Sequence, residues 1–361
     1  MPKLFFLLSG ENKTLPAAEV KAILESEGYG YSHVSELDQI LQLEADAACV
    51  KPVQVGSAYT RVCSLEVLVA NATYDDIAKQ AAQTDFKAFL QPGESFVVRI
   101  NRIKNYAEKA INTMTLEIAL GKQILEQTEG TKVSLKNPDK TFIGIITDEK
   151  LVLGLKLTDI TSKTFSERRP RKKPFFHPSA MPSKMARCMV NLAHAKAESV
   201  VLDPFCGTGT TLIEATFIGC RAVGVDAQKR MIVGTKKNLE FFGISAEGLV
   251  WADSRKIPLT KVDAVVTDPP YGRSSSTLKS TTKKLVQEVL ASVHGLLGVG
   301  QRISIALPIQ VAESGKMESL AKDLDGYIGG LGFKKLESHK VDRRIDSQSI
   351  TSTPISILGG P

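Results

Sequence analysis

Four short apolar runs in the second half of the chain each end in an aspartate, and they constrain the fold more than any other feature. They read VVLD, VGVD, VWAD and VVTD, and they end at Asp203, Asp226, Asp253 and Asp268. Segments with helical periodicity, TTLIEATFIG and AQKRMIVGTKKNLEFFG, separate the first three runs. This alternation predicts a doubly wound, mainly parallel sheet with helices on both faces. Ligands of such sheets bind at the carboxyl ends of the strands, so all four aspartates are candidate site residues.

A glycine turn follows the first run, in the stretch DPFCGTG. Glycines permit a tight turn and let a ligand approach the backbone. The stretch lacks the third glycine of the dinucleotide fingerprint G-x-G-x-x-G, and the chain has no Tyr-x-x-x-Lys pair, which disfavours a nicotinamide dehydrogenase. An acidic rim is a poor place for a pyrophosphate. It suits a neutral or cationic nucleoside such as S-adenosylmethionine.

The acidic strand ends are predicted to divide this cofactor between them. Asp203 and the turn backbone would face the methionine part, and Asp226 would accept hydrogen bonds from the ribose hydroxyls. Asp253 and Ser254 would face the adenine edge. For any single acid the competing interpretation is a helix N-cap, which Asp226 also fits. The turn residues predicted to contact the cofactor are Phe205, Cys206, Gly207, Thr208 and Gly209.

The stretch TDPPYG closes the fourth run. Prolines cannot continue a strand ladder, so the prolines at 269 and 270 end the strand and hold Asp268 and a backbone carbonyl at the cofactor's edge. Two acceptors aimed at the exocyclic amine of a nucleobase favour a pyramidal nitrogen and stabilise its developing positive charge. Tyr271 offers a flat face for a flipped base. We therefore predict methyl transfer to such an amine, with Asp268, Pro269 and Tyr271 as catalytic residues. The competing interpretation is a structural turn with a core tyrosine.

The first half of the chain carries strand and helix signals without a catalytic cluster, which indicates an α+β binding module over residues 1–161. Residues 162–176, rich in proline and basic residues, are predicted to be a linker. The Rossmann-like part would then occupy residues 177–361. The predicted strand pairs in the first half turn at 137–138 and at 148–149.

The motifs DPFCGTG, VGVD, WAD and TDPPYG, in this order, resemble those of Rossmann-like amino methyltransferases. The stretches FVVRINRIKN and VSLKNPD resemble a THUMP domain, a tRNA-binding module, preceded by a ferredoxin-like segment. Together they resemble the archaeal tRNA (guanine-10-N(2))-methyltransferases over nearly the whole chain. The resemblance implies methylation of guanosine 10 of tRNA, once or twice on the same amine. Eukaryotic members need a small activating protein, and the sequence carries no signal for or against one.

The resemblance also implies a segment before the glycine turn, residues 177–193, that helps to close the cofactor pocket. His177 in this segment is predicted to contact the cofactor, with a catalytic base as the less favoured role. Basic residues in both halves are candidate contacts for tRNA phosphates, with a solvated hinge as the alternative for the linker cluster. These candidates are Arg102, Lys104, Lys136, Arg168, Arg169, Arg171, Lys172 and Lys173.

Composition adds little to this interpretation. The chain is 43% hydrophobic and 24% charged, and its net charge of +7 permits a nucleic-acid partner without requiring one. Five widely spaced cysteines predict neither a disulfide framework nor a metal site. The apolar run Leu4–Leu8 is too short for a membrane span, so we expect a cytoplasmic protein with no membrane partner. We also expect a monomer. The alternatives left open are a DNA amino methyltransferase and a non-catalytic tRNA-binding protein.

Overall fold

The computed structural model describes residues 1–270, 282–311, 317–339, 341–345 and 348–358. Tyr271 lies outside these residues. The chain divides into two compact units. The first contains residues 1–13, 28–54 and 60–161, and the second contains residues 14–27, 55–59 and 162–361.

The described residues form seventeen strands and ten α-helices. The strands are β1 (Lys3–Leu8), β2 (Tyr31–Leu37), β3 (Ile40–Ala45), β4 (Thr60–Asn71), β5 (Ser95–Arg102), β6 (Lys132–Val133), β7 (Lys140–Thr147), β8 (Lys150–Asp159), β9 (Val200–Asp203), β10 (Arg221–Asp226), β11 (Gly248–Trp251), β12 (Ala264–Thr267), β13 (Arg302–Val311), β14 (Met317–Ser319), β15 (Lys334–Ser338), β16 (Val341–Ile345) and β17 (Gln348–Leu358). The helices are α1 (Leu15–Ser26), α2 (Val50–Gly56), α3 (Tyr74–Gln83), α4 (Thr113–Gln127), α5 (Lys163–Glu167), α6 (Ser183–Leu192), α7 (Thr210–Thr216), α8 (Lys229–Phe241), α9 (Thr282–His294) and α10 (Leu320–Gly330). Among them, no helix is both long and apolar enough to cross a membrane.

The first unit is built on a mixed sheet whose described strands run in the order β2-β3-β1-β4-β8-β7-β5-β6. Its apolar strand residues pack against α3 and α4, and the rings of Phe86 and Phe96 meet Phe142 edge to face. Strands β7 and β8 form a hairpin in which Thr147 pairs with Lys150. Its two turn residues, Asp148 and Glu149, both have positive φ, as a type I′ turn requires. The turn predicted at 148–149 is therefore confirmed.

The second unit contains the predicted Rossmann-like sheet. Its described strands run in the order β11-β10-β9-β12-β13-β17-β15, and the first five are parallel. Alternating side chains bury both faces: Val201 and Val266 face α6 and α7, whereas Leu202 and Val265 face α9. Strand order reverses between β9 and β12, so the ligand crevice of this fold type lies beyond the carboxyl ends of these two strands.

Two early segments pack into the second unit. Helix α1 lies against α6. Residues 55–59, which run from the end of α2 to the start of β4, belong to the same unit. Their centre is the fully buried Glu19 carboxylate, which accepts hydrogen bonds from Tyr59 N (2.9 Å), Ser57 Oγ (2.8 Å) and Asn191 Nδ2 (2.8 Å). Burial raises the pKa of Glu19, and these hydrogen bonds act in the opposite direction. A single boundary at residue 161 therefore does not describe the packing of residues 14–27 and 55–59.

The segment predicted to be a linker, residues 162–176, belongs to the second unit and is fastened to it. It contains α5 and a short 3-10 turn over Pro170–Lys172. Asn238 holds its far end, because its side chain accepts from Phe175 N and donates to Phe175 O, both at 2.9 Å. The segment is therefore packed as part of the second unit and is not a free linker between the units.

Candidate active site

A cavity of about 330 Å³ lies at the carboxyl ends of the parallel strands in the second unit. Ten of the residues predicted from the sequence line it: His177, Asp203, Phe205, Cys206, Gly207, Thr208, Asp226, Ser254, Asp268 and Pro269. The other lining residues are Ser179, Ala180, Met181, Thr210, Thr211, Ala227, Gln228, Arg230, Met231, Pro270 and Leu285. Gly209 and Asp253 are not among them. The sheet topology therefore brings most of the predicted residues to one place.

The glycine turn is locked in shape. Gly207 and Gly209 have φ of +51° and +79°, a region that favours glycine. A Cβ on Gly209 would lie 2.6 Å from Thr235 Cγ2, which is too close for two carbon atoms. Thr235 also donates a hydrogen bond of 2.8 Å to the carbonyl of Gly207. The requirement for glycine at 209 thus comes from packing as well as from backbone conformation.

Asp226 ties the end of β10 to this turn. Its Oδ2 accepts from Gly207 N at 3.0 Å, and its Oδ1 accepts from Gln228 N at 2.8 Å. Each carboxylate oxygen can accept more than one hydrogen bond, so acceptor capacity remains for hydroxyl donors in the cavity. Burial raises the pKa of Asp226. The carboxylate precedes α8 by three residues, and the residue at the N-cap position is Gln228.

Asp203 stands at the end of β9, next to β12, which leads into Asp268. Its carboxylate is buried, and its Oδ1 accepts from Phe205 N at 3.0 Å and from Thr267 Oγ1 at 2.9 Å. Burial, with a smaller contribution from the charge of Asp268, raises the pKa of Asp203 to about 7. Two carboxyl groups thus meet at the point where strand order reverses.

Asp253 is engaged by a residue that the sequence analysis did not single out. The Arg255 guanidinium binds its carboxylate, with Nε at 2.9 Å from Oδ1 and 3.0 Å from Oδ2, and a second contact from Nη2. This ion pair lowers the pKa of Asp253. Arg255 also lies 3.6 Å from Glu288 on α9. Of the two residues predicted at the adenine edge, Ser254 lines the cavity, and the Asp253 carboxylate is turned to Arg255. The sequence signal for this ion pair was the spacing in ADSR, which puts Arg255 two residues after Asp253.

Another part of the cavity wall comes from His177 and residues 179–181, just before α6. His177 Nδ1 lies 2.7 Å from Ser179 Oγ, a contact within hydrogen-bonding distance that orders this turn. Met181 and Leu285 add apolar surface to the cavity. Sequence reasoning found His177 but missed Gln228, Arg230 and Met231, which extend from the end of β10 into the start of α8.

Two of the predicted tRNA contacts are internal, and for them the prediction is wrong. Arg168 forms a bidentate ion pair with the buried Glu214, at 2.8 and 3.0 Å, which Arg187 joins at 3.1 Å. Lys173 is buried and donates to Thr210 Oγ1 at 2.6 Å. Burial lowers the pKa of Lys173 to about 8. Both cations hold the segment onto α7, which leaves the Arg168 side chain 11% exposed and Lys173 buried.

The remaining tRNA candidates stay predictions. Arg169, Arg171 and Lys172 are exposed in the second unit. In the first unit, Lys136 is exposed and Lys104 pairs with Asp38 at 2.6 Å. Arg102 is half-buried and donates to the carbonyl of Ile111.

Comparison with known proteins gives two family matches and close relatives. A model described as "RMKL-like, methyltransferase domain" matches residues 170–322, and one described as "DNA methylase" matches residues 72–237. A tRNA (guanine(10)-N2)-dimethyltransferase of Methanothermobacter thermautotrophicus is 38% identical over 85% of this chain and 89% of its own length. One of Methanocaldococcus jannaschii is 28% identical over 88% of this chain and 94% of its own.

Among solved structures, TrmN from Thermus thermophilus matches 99% of both chains with a TM-score of 0.50 at 18% identity. This likeness shows a shared fold. The extent and identity of the first sequence relative show more than a fold, and they confirm the family that the motifs resembled. The chain belongs to the tRNA (guanine(10)-N2)-dimethyltransferase family.

Proposed function

We propose that this protein transfers a methyl group from S-adenosylmethionine to the exocyclic amine of guanosine 10 in tRNA, and then a second one to the same amine. One observation carries the proposal. Asp268, Pro269 and Pro270, at the end of β12, line the same cavity as the glycine turn and Asp226. The group that would receive the amine and the groups that would hold the methyl donor therefore face one space.

The residues of the cavity fit S-adenosylmethionine. Asp226 offers acceptors to ribose hydroxyls, and the positive-φ turn exposes backbone to the ligand. Phe205, Met231 and Leu285 provide apolar wall, and no pyrophosphate has to approach the acidic groups. When bound, the cofactor supplies a methyl group activated by a sulfonium.

The rigid Pro-Pro turn fixes Asp268 where the amine must lie. Its carboxylate accepts an N–H of the amine, which keeps the nitrogen lone pair directed at the methyl group, and it takes up the proton that the nitrogen loses. Once methylated, the amine still has one N–H and a lone pair, so the same arrangement serves a second transfer. Burial raises the pKa of Asp203 to about 7, which favours its neutral form and so limits the negative charge beside Asp268.

The first unit is proposed to be the tRNA-binding module, with Arg102, Lys104 and Lys136 as its candidate contacts. The motif resemblance to a THUMP domain and the mixed sheet with helices packed on it support this role. Arg169, Arg171 and Lys172 would add phosphate contacts from the second unit. We further propose that the protein acts as a monomer in the cytoplasm.

The test uses unmodified tRNA transcripts and methyl-labelled S-adenosylmethionine. The product is digested, and the modified nucleoside and its position are identified by mass spectrometry. We expect N(2)-methyl- and N(2),N(2)-dimethylguanosine at position 10. Transfer to duplex DNA instead would support the activity named in the DNA methylase model. No transfer to any nucleic acid by folded, cofactor-bound protein would refute the proposal.

The substitution Asp268→Ala tests the role proposed for this carboxylate. It should bind the cofactor nearly as well as the wild type and lose at least about a hundredfold in turnover, the effect of removing one preorganised stabilising group. The control is Asp325→Ala, an exposed carboxylate that pairs with Lys335 at 3.1 Å. An unchanged rate for Asp268→Ala would exclude the proposed role.

A further inference from the structure

Three aromatic rings beside the cavity each lie under a cation. Arg171 Cζ is 5.9 Å from the ring centre of Phe176, and Arg230 Cζ is 5.6 Å from that of Phe175. Lys229 Nζ is 5.6 Å from the ring centre of Trp251. All three pairs are within the range of cation–π attraction. We name these six residues the cation–aromatic rim.

The three pairs are linked through neighbouring residues of the chain, and they adjoin residues that line the cavity. Lys229 and Arg230 are consecutive residues at the start of α8, so they join the Trp251 pair to the Phe175 pair. Phe176 follows Phe175 directly and precedes His177, which lines the cavity as Arg230 does. At the other end, Trp251 Nε1 donates to the carbonyl of Ala227, another lining residue, at 2.9 Å. A ligand that fills the cavity mouth therefore meets the rim.

Two of the three rings, those of Phe175 and Trp251, are held in place. The Phe175 ring lies against the bare backbone of Gly234, where a Cβ would come within 2.0 Å of it. Its main chain is clamped on both sides by Asn238. The indole of Trp251 is oriented by its bond to Ala227. Binding here would cost little additional ordering of the aromatic residues.

The rim is nevertheless open to solvent. Trp251 is 61% exposed and Phe176 is 38% exposed, although both are large apolar side chains. Within the described ranges, Arg171, Lys229 and Arg230 form no ion pair with a carboxylate. Two exposed rings, one of them an oriented indole, with cations above them that have no carboxylate partner among the described residues, match a ligand that has flat bases and a negative backbone.

We propose that the cation–aromatic rim binds unpaired nucleotides of the tRNA next to the target guanosine. Their bases stack on Trp251 and Phe176, and their phosphates contact Arg171 and Lys229. The inference rests on the proposed function, because it names the part of the RNA that the same site receives. A protein partner would instead be expected to supply carboxylates to the cations. The affinity of a protein partner would not follow the salt dependence that arises when cations neutralise nucleic-acid phosphates.

Two sets of variants separate stacking from charge. Trp251→Ala and Phe176→Ala should each weaken tRNA binding by about 5- to 150-fold, the range for one stacked base, with the salt slope unchanged. Trp251→Phe should restore most of the loss. Lys229→Gln and Arg171→Gln should lower the slope of log K against log salt by about one each. The control is Phe241→Ala, which removes a 58% exposed ring at the far end of α8.

The measurement is tRNA affinity by filter binding over a salt series, with cofactor affinity by calorimetry as a check that each variant is folded. If Trp251→Ala does not fold, Phe176→Ala carries the test. Wild-type methylation of tRNA combined with ring variants that bind like Phe241→Ala would overturn the rim and leave the proposed function standing. Loss of cofactor affinity with normal tRNA affinity in Trp251→Ala would also overturn it. Wild-type protein that neither binds nor methylates tRNA would overturn both.

Discussion

Replacement of Glu214 by glutamine tests the buried ion-pair cluster that fastens the segment before the cavity. Glu214 is fully buried on α7, and its carboxylate meets two guanidiniums, those of Arg168 and Arg187, at 2.8 to 3.1 Å. The side chains of these arginines are only 11% and 4% exposed. Glutamine keeps the shape of the side chain and removes the negative charge.

The expected loss of stability is large for a single isosteric change. Removing one partner of a buried ion pair costs about 3–5 kcal/mol, because a charge is left buried without its counter-charge. The glutamine oxygen still accepts one hydrogen bond, so we expect the lower end, about 3 kcal/mol. For a unit of this size, such a loss lowers Tm by about 6–12 °C.

Urea unfolding followed by circular dichroism measures this loss as a shift of the midpoint at unchanged slope. Glu240→Gln is the control, because Glu240 is an exposed glutamate on α8 that pairs with Lys236 at 3.8 Å and should change stability by less than about 0.5 kcal/mol. Arg168→Met should cost less than Glu214→Gln, because Arg187 still neutralises the carboxylate. A Glu214→Gln midpoint equal to that of Glu240→Gln would show that the cluster contributes no net stability.

Three further changes probe the cavity. Asp226→Ala should weaken cofactor binding by about 10- to 100-fold, since it removes a charged acceptor of hydrogen bonds, and tight binding in calorimetry would remove the ribose assignment. Asp203→Asn should gain stability relative to wild type as pH rises from about 4 to about 7. In the wild type the buried Asp203 carboxyl keeps its proton up to a pKa of about 7, whereas the unfolded chain releases it near the ordinary pKa of 3.8. The stability that the raised pKa contributes at low pH is therefore lost as pH rises between these two values. Unfolding curves at pH 4.5 and 8 that give equal differences would contradict this. Gly209→Ala should lower both Tm and cofactor affinity, because its Cβ meets Thr235, and a wild-type Tm would show that the turn can shift.

The sequence predicts the cavity well because few alternatives exist for parallel strands. Once VVLD, VGVD and VVTD are recognised as strands of one doubly wound sheet, their carboxyl ends must lie on one edge. Asp203, Asp226 and Asp268 therefore lie near one another regardless of the conformation of the loops between the strands. The structure confirms this fold and brings these residues to one cavity.

The errors concern partners that are distant in sequence. The sequence places Arg168 and Lys173 among the tRNA contacts because they belong to a basic, proline-rich cluster of the predicted linker. Their partners, Glu214 and Thr210, lie 46 and 37 residues further on. A lone glutamate inside the apolar stretch TTLIEATFIG was the available signal. Glu19 is likewise a lone glutamate in an apolar stretch, LPAAEVKAIL, and it lies where α1 packs into the core of the second unit.

The assignment of α1 and residues 55–59 to the second unit has a consequence for synthesis on the ribosome. Leu15, Ala18 and Ala22 belong to a core that also contains Ala58 and Tyr59 and whose remaining members begin at Phe165. Translation at about 5–20 residues per second separates α1 from the core residues that begin at Phe165 by roughly 7–28 s, the time to make the intervening 140 or so residues. During that interval the helix is in the nascent chain with its apolar face uncovered. The order of synthesis therefore leaves α1 without most of its core partners until the second unit is made, and a chain begun at residue 162 would lack part of its own core.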